Sequence, residues 1–480
     1  MRISHVVLAT LVSVAPAHAQ APAAPQAPAA LPPGASNDPF PAPIQATEGV
    51  IAVNFTEFAR IPDNGAEAPR MNLLVDEPGT RRLFVNTMTG TIYSVSYDGK
   101  TVTPYLDHNL PAWGHPVDAR GSERGFQSFA FHPQFAQRGT RGYGKFYTYT
   151  DTPDITPQAD FTHPATSHTH DTVLLEWTAK NPSAAAYDGD GPREVIRFAQ
   201  PYANHNGGEI AFNDLAAPNS PEFGLLYIGA ADGGSGGDPQ NVSQNLGSAF
   251  GKILRIDPLG NNSGNGKYGI PASNPFVADN KPETLGEIYA YGVRNPQRFS
   301  WDSKDRRMYL ADIGQNIVEE ISPVTAGANL GWNTWEASFK YVNRQVDLAN
   351  PRSDAAMTWP TVEFDHTDPI LTRPAVTGVY VYRGTAIKQL QNLLLFGDNP
   401  SGEIFYINAD KQPAGGQDAI RRIMLSDKGT NKTLLQLIRE KNAAQGKPAA
   451  PRADLRFGRG PNGQIFIMNK RDGVIRLLVP

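Results

Sequence analysis

His205 stands in the segment Tyr202-Ala203-Asn204-His205-Asn206-Gly207-Gly208-Glu209-Ile210, just before a strand-like run and among residues too small or too polar for a core. An imidazole there has room for a ligand beside it and titrates near neutral pH. To act as a general base it needs a partner on one ring nitrogen, leaving the other free toward a substrate. Asp232, in Gly229-Ala230-Ala231-Asp232-Gly233-Gly234, is a candidate partner. It ends the strand after the one that follows His205, and antiparallel pairing of the two would bring carboxylate and imidazole together. Arg294 and Asn295, stopped by Pro296, present a cation and an amide suited to carboxylate or carbonyl oxygens. Asp312-Ile313-Gly314-Gln315-Asn316, with Glu319-Glu320 behind it, is rich in the hard oxygen donors that Ca²⁺ takes. Each segment alone also has a plain reading as a loop histidine, a turn or solvated carboxylates.

The elements that must position these residues repeat. A strand, a polar Gly/Asp turn and a second alternating strand recur at Leu83–Val85 with Gly90–Val95, Phe146–Tyr149 with Thr172–Trp177, and Leu226–Ile228 with Lys252–Ile256. They recur again at Met308–Leu310 with Val318–Ile321, Leu394–Phe396 with Glu403–Ile407, and Ile465–Ile467 with Gly473–Leu477. Six such units, with few helical patterns between them, predict an all-β chain: a six-bladed β-propeller of four-stranded antiparallel blades. Each unit is expected to supply the two outer strands of a blade. Strands near residues 48 to 58 are expected to pair with the last unit and close the ring. A pair of sandwiches or a seven-bladed ring are the other arrangements such strands allow. Lys432 to Lys441 reads as an inserted helix.

Bulk composition narrows the function classes. The 480 residues hold 45 glycines, 41 prolines and no cysteine, with 19% charged residues and a net charge of −4. That balance argues against nucleic acid or an anionic membrane surface as partner and suits small neutral ligands. Arg2, the apolar run Val6 to Val14 and Ala17-His18-Ala19 match an export signal cleaved after residue 19. With no segment approaching a membrane span, this predicts a periplasmic or secreted protein; an uncleaved anchor is the alternative. Residues 20–45, rich in Ala, Pro and Gln, read as a tether, and 46–480 as the propeller domain.

Together the segments resemble the glucose/sorbosone dehydrogenase family, the soluble quinoprotein aldose dehydrogenases and their relatives. The resemblance rests on Phe129-Ala130-Phe131-His132-Pro133, Asn204-His205-Asn206-Gly207-Gly208, Gly251-Lys252-Ile253-Leu254-Arg255-Ile256-Asp257 and Ala290-Tyr291-Gly292-Val293-Arg294-Asn295-Pro296. Asp312-Ile313-Gly314-Gln315-Asn316, Glu319-Glu320-Ile321 and Gly397-Asp398-Asn399-Pro400-Ser401-Gly402 follow in the family's order. It implies pyrroloquinoline quinone (PQQ) in a polar pocket, with Ca²⁺ bound to the quinone, and oxidation of the anomeric hydroxyl of an aldose to a lactone. His205 would take the hydroxyl proton, Asp232 would hold His205, and Arg294 would steady charge on the quinone. Glu123, Asn204, Arg294 and Asn295 would contact the cofactor. Carbonyls of Gly314 and Gln315 would hold its calcium, and Glu320 a second, structural calcium. Electrons would leave to a separate acceptor.

The resemblance departs from the family pattern at the cofactor clamp. Glu123 stands where a glutamine is usual. The turn Asp398 to Gly402 lacks a lysine, and the paired arginines do not align in Asp454-Leu455-Arg456-Phe457-Gly458-Arg459. Few cations are therefore expected around a tricarboxylate cofactor. A non-redox propeller that binds a carbohydrate or a protein, and a Ca²⁺-dependent lactonase-like hydrolase, are the competing readings.

Overall fold

The computed structural model describes residues 35–279 and 281–480. Four-stranded antiparallel groups follow one another along the chain. The first runs from Met71–Glu77 to Val102–Asp107, the second from Phe126–Phe131 to Arg193–Gln200 and the third from Ile210–Phe212 to Ile288–Tyr291. The fourth runs from Pro296–Trp301 to Val362–Asp365 and the fifth from Val376–Tyr382 to Arg421–Asp427. Arg456–Arg459, Ile465–Met468 and Val474–Val479 form a sixth group, completed by Ile51–Arg60 from the other end of the chain, with Asn54 opposite Val479 and Arg60 opposite Val474. First strands of successive groups touch around a circle, except that between the third and fourth groups it is the second strand, Leu226–Ala230, that meets Pro296–Trp301. The circle closes where Arg456–Arg459 meets Met71–Glu77. This is a propeller, and its closing strand is the one expected near residues 48 to 58.

The strand-turn-strand repeat seen in the sequence supplies the two middle strands of each group rather than the two outer ones. The reason is burial: a middle strand has neighbours on both edges and packed layers on both faces, so it carries the densest apolar pattern. Phe146, Tyr147 and Tyr149 with Val173, Leu174, Leu175 and Trp177 are all fully buried. The innermost strands lie outside that repeat.

Two further departures concern the ends and inserts. Residues 1–34, which include the expected export signal and most of the expected tether, lie outside the described residues. From residue 35 the Ala/Pro segment packs on the body. Ala35 and Ser36 pair with Asp347 and Val346, Phe40 packs against Phe339, and buried Ile44 donates its N–H to Asp368 Oδ2 at 2.6 Å. Two large apolar side chains give that stretch the surface to dock that its neighbours lack. The inserted helix spans Leu434–Ala444, capped by a reciprocal Thr433–Gln436 box, and buries Leu434, Leu437 and Ile438. No helix among the described residues is long and apolar enough to cross a membrane.

Candidate active site

One end of the propeller axis opens into a cavity of about 740 Å³. Its walls are built from the residues just before each first strand: Arg70, Glu123, His205, Arg294 with Asn295, Arg373 to Ala375, and Asp454 with Arg456. Residues just after the second strands complete it, because antiparallel pairing brings those ends to the same face; these include Gly314, Asn399 and Lys470. Register shifts near the starts of four first strands, at Met71/Leu73, Phe126/Ser128, Pro296/Arg298 and Thr377/Val379, turn the chain as it enters the axis.

His205 and Asp232 meet as expected. Nδ1 of His205 lies 2.6 Å from Asp232 Oδ1, so its other ring nitrogen, Nε2, is the one left for the cavity. The strands behind them pair in the expected sense, with Ile210 opposite Ile228. Asp232 is buried and held on every side: Gly234 N–H donates to Oδ1 at 2.9 Å and the Trp332 indole donates to Oδ2 at 2.9 Å. Burial alone would raise its pKa; the charge and hydrogen bond of His205, the charge of Arg294 and the Gly234 N–H outweigh that and hold the carboxyl below its ordinary range. An ionised Asp232 fixes the proton on Nδ1 and keeps Nε2 basic.

His205 sits at φ 54°, in the left-handed region that residues with a side chain rarely adopt. Glu123 holds it there, accepting its backbone N–H at 2.8 Å on Oε2 and a long 3.5 Å hydrogen bond from Asn295 Nδ2 on the same oxygen. The glycines after His205 serve packing: a Cβ on Gly208 would stand 1.8 Å from the carbonyl oxygen of Pro296 in the next group. Trp332 is buried under the site, orienting Asp232 with its indole and lying 5.6 Å beneath the Arg294 guanidinium. It therefore cannot serve as an open stacking surface.

Other expectations change. Asn204 does not line the cavity; it packs against the turn at Gly234. Gly314 and Gln315 do line it, but the Gly314 carbonyl accepts from Arg294 Nη1 at 2.6 Å, as the Ile313 carbonyl does at 2.8 Å. Glu320 lies behind the wall, in register with Asp312 on one side and Glu363 on the other. Burial, and then repulsion from Asp312 and Glu363, push its pKa well above the usual range. No group of three or more His, Asp or Glu side chains among the described residues is arranged to hold a metal ion. Of the two calcium sites expected, the first has its Gly314 carbonyl bonded to Arg294, and Glu320 of the second lies behind the cavity wall.

The cation-poor clamp expected from the sequence is also corrected. Arg70, Arg452, Arg456, Lys470 and Arg471 converge on one wall around a single carboxylate, Asp454. Asp454 pairs with Arg452 and Arg471, each at 2.5 Å. Arg70 and Arg456 are met only by neutral acceptors: the carbonyls of Ala119, Gly121 and Ser122 and the Met88 sulfur for Arg70, and Asn72 Oδ1 and the Leu455 carbonyl for Arg456. Lys470 has no hydrogen-bond or ion-pair partner among the described residues. Burial, then Arg298, brings Arg456 down to about 9. Burial, then Arg456, holds the Lys470 amine well below its usual range. Two guanidinium groups and a basic amine facing a cavity with no matching anion point to an anionic ligand. These residues come from three separate segments, which is why no local motif announced them.

Residues 69–442 match the glucose/sorbosone dehydrogenase family. The chain belongs to that family. Among curated proteins it is 28% identical to the HIPL2 protein of Arabidopsis thaliana, over 68% of this chain and 50% of that one. It is 28% identical to human Hedgehog-interacting protein, over 67% of this chain and 39% of the other, and 25% identical to an aldose sugar dehydrogenase of Escherichia coli, over 47% and 52%. The chain thus spans about half, or less, of the length of these relatives. Among solved structures it resembles the soluble aldose sugar dehydrogenase of Escherichia coli (17% identity, TM-score 0.58, 89% of this chain and all of that one). It also resembles a PQQ-bound aldose sugar dehydrogenase of Streptomyces coelicolor (20% identity, TM-score 0.53, 91% and 99%). These likenesses show the fold.

Proposed function

We propose that the chain is an exported sugar dehydrogenase that oxidises the C1 hydroxyl of an aldose to a lactone, using PQQ held in the axial cavity. The observation that carries this reading is the His205–Asp232 pair opening Nε2 toward a cavity that Arg70, Arg456 and Lys470 line without an ion-pair partner. PQQ carries three carboxylates, and Arg70, Arg456 and Lys470 are donors of matching number and sign. When bound, the quinone supplies the hydride acceptor. His205 Nε2 takes the hydroxyl proton, while Asp232 holds Nδ1–H and balances the imidazolium that forms. Arg294 and Asn295, fixed by the carboxylate of Asp312 through their backbone N–H groups at 2.9 and 2.7 Å, present a cation and an amide to the same space. The N-terminal export pattern supports a periplasmic or secreted location, with electrons passing to a separate acceptor.

Purified protein supplied with PQQ is expected to reduce an artificial electron-acceptor dye when given aldoses. His205→Ala should lower kcat by about 10²-fold or more, the usual contribution of a general base. Equal dye reduction by both proteins would sink the assignment. A second reading, a propeller that binds a carbohydrate or protein without redox chemistry, draws support from the similarity to Hedgehog-interacting protein. Calorimetry separates the two: no heat with PQQ, together with carbohydrate binding that His205→Ala leaves intact, favours the second.

A further inference from the structure

The carbonyls of Ile313 and Gly314 point into the cavity because of a tight turn. A Cβ on Gly314 would lie 1.7 Å from the Val318 carbonyl oxygen, so only glycine lets the chain fold back this closely. Inward carbonyls at a cavity wall attract a cation, and the family resemblance assigns those of Gly314 and Gln315 to calcium, so that Gly314 is common to the two pairs. In this chain a cation is already there. Arg294 Nη1 donates to Gly314 O at 2.6 Å and to Ile313 O at 2.8 Å. Its Nε donates at 3.1 Å to Gln315 Oε1, which also accepts the Gly237 N–H at 2.9 Å. The guanidinium is buried and rests over the Trp332 ring. Nη2 has no hydrogen-bond partner among the described residues, which makes it the edge offered to a ligand.

Most oxygens of the neighbouring carboxylates are engaged. Both oxygens of Asp312 accept the backbone N–H groups of Arg294 and Asn295. Glu336 Oε1 accepts those of Gln315, Asn316, Ile317 and Val318, while its Oε2 is buried without a partner. Asp232 is taken by His205, Trp332 and Gly234. Calcium wants six to eight oxygens, usually with carboxylates among them. An ion here would meet a fixed guanidinium of like charge and a Gly314 carbonyl already used.

We infer that Arg294 supplies from the protein itself the cation otherwise expected from calcium, bridging the Ile313/Gly314 carbonyls to an anionic ligand, so that the cavity binds its quinone without a divalent ion. The inference rests on the quinone reading proposed above, and its test separates the two. Binding of PQQ is followed by quenching of tryptophan fluorescence, once with a chelator and once with millimolar calcium. Wild-type midpoints should agree within about twofold. Arg294→Met, checked for folding by its melting curve, should bind about tenfold or more weakly in chelator and regain affinity with calcium, which can now reach the freed carbonyls. Wild-type binding that needs calcium, or tightens about tenfold with it, would overturn the inference, as would Arg294→Met binding that is undiminished in chelator. No binding in either buffer is a distinct result: it removes the quinone reading, and this inference with it.

Discussion

His205 is held at its backbone N–H by Glu123 and at Nδ1 by Asp232, so that Nε2 remains for chemistry. Asp232 in turn depends on Trp332, whose indole is the donor to Oδ2. Replacing Trp332 with Phe keeps most of the ring volume and removes that donor. The carboxylate then loses one of the donors that fix its orientation, and with it the hold on the imidazole loosens. The kcat with aldose should fall about tenfold, while the melting temperature stays close to wild type. A fall in melting temperature with kcat unchanged would reduce Trp332 to packing.

At the scale of elements, the cavity wall is held from outside by an insertion. The small sheet of Trp335–Glu336, Phe339–Val342 and Gln345–Asp347, joined by Ala35–Ser36, places Glu336 against the loop at 315–318. One carboxylate oxygen there satisfies four backbone N–H groups at 2.9 to 3.1 Å. Glu336→Ala strands them, at a cost of about 2–4 kcal/mol for a lost charge-assisted set. Hydrogen exchange should accelerate across residues 313–318 before it does in the strands; protection equal to wild type would show that the loop is held otherwise. The sequence marked the loop as chemistry and said nothing of the insertion. The link between them is a contact between segments about twenty residues apart, and no local pattern encodes it.

At the scale of the molecule, closure of the ring brings ionisable groups to the axis that would otherwise be solvated. Glu209, at the start of the third group, accepts the Phe299 N–H from the fourth at 3.0 Å. Burial pushes its pKa up to about 7, with Arg298 and that N–H pulling the other way. Between roughly pH 4.5 and 7 the unfolded chain has released a proton that the folded chain keeps, so this group's contribution to stability falls as pH rises through that window and is flat above it. Glu209→Gln removes the dependence. The melting temperature of the variant relative to wild type should therefore climb from about pH 5 to about pH 7.5. A difference that is constant across the window would place the Glu209 titration elsewhere.

What the chain determined locally could be read locally. Middle strands announce themselves because burial on both faces demands an unbroken apolar pattern, and the closing strand and the inserted helix carry their own periodicity and cap. The His205–Asp232 pair was legible because its members flank strands adjacent in order, so a simple antiparallel step joins them. The cation wall was not, because Arg70, Arg452, Arg456, Lys470 and Arg471 come from opposite ends of the chain and meet only when the ring closes. Nor could the sequence say that the Gly314 carbonyl would accept from Arg294, since the two are twenty residues apart and meet only through the fold. Residue types set which chemistry was available. The tertiary structure decided which of those groups face one another.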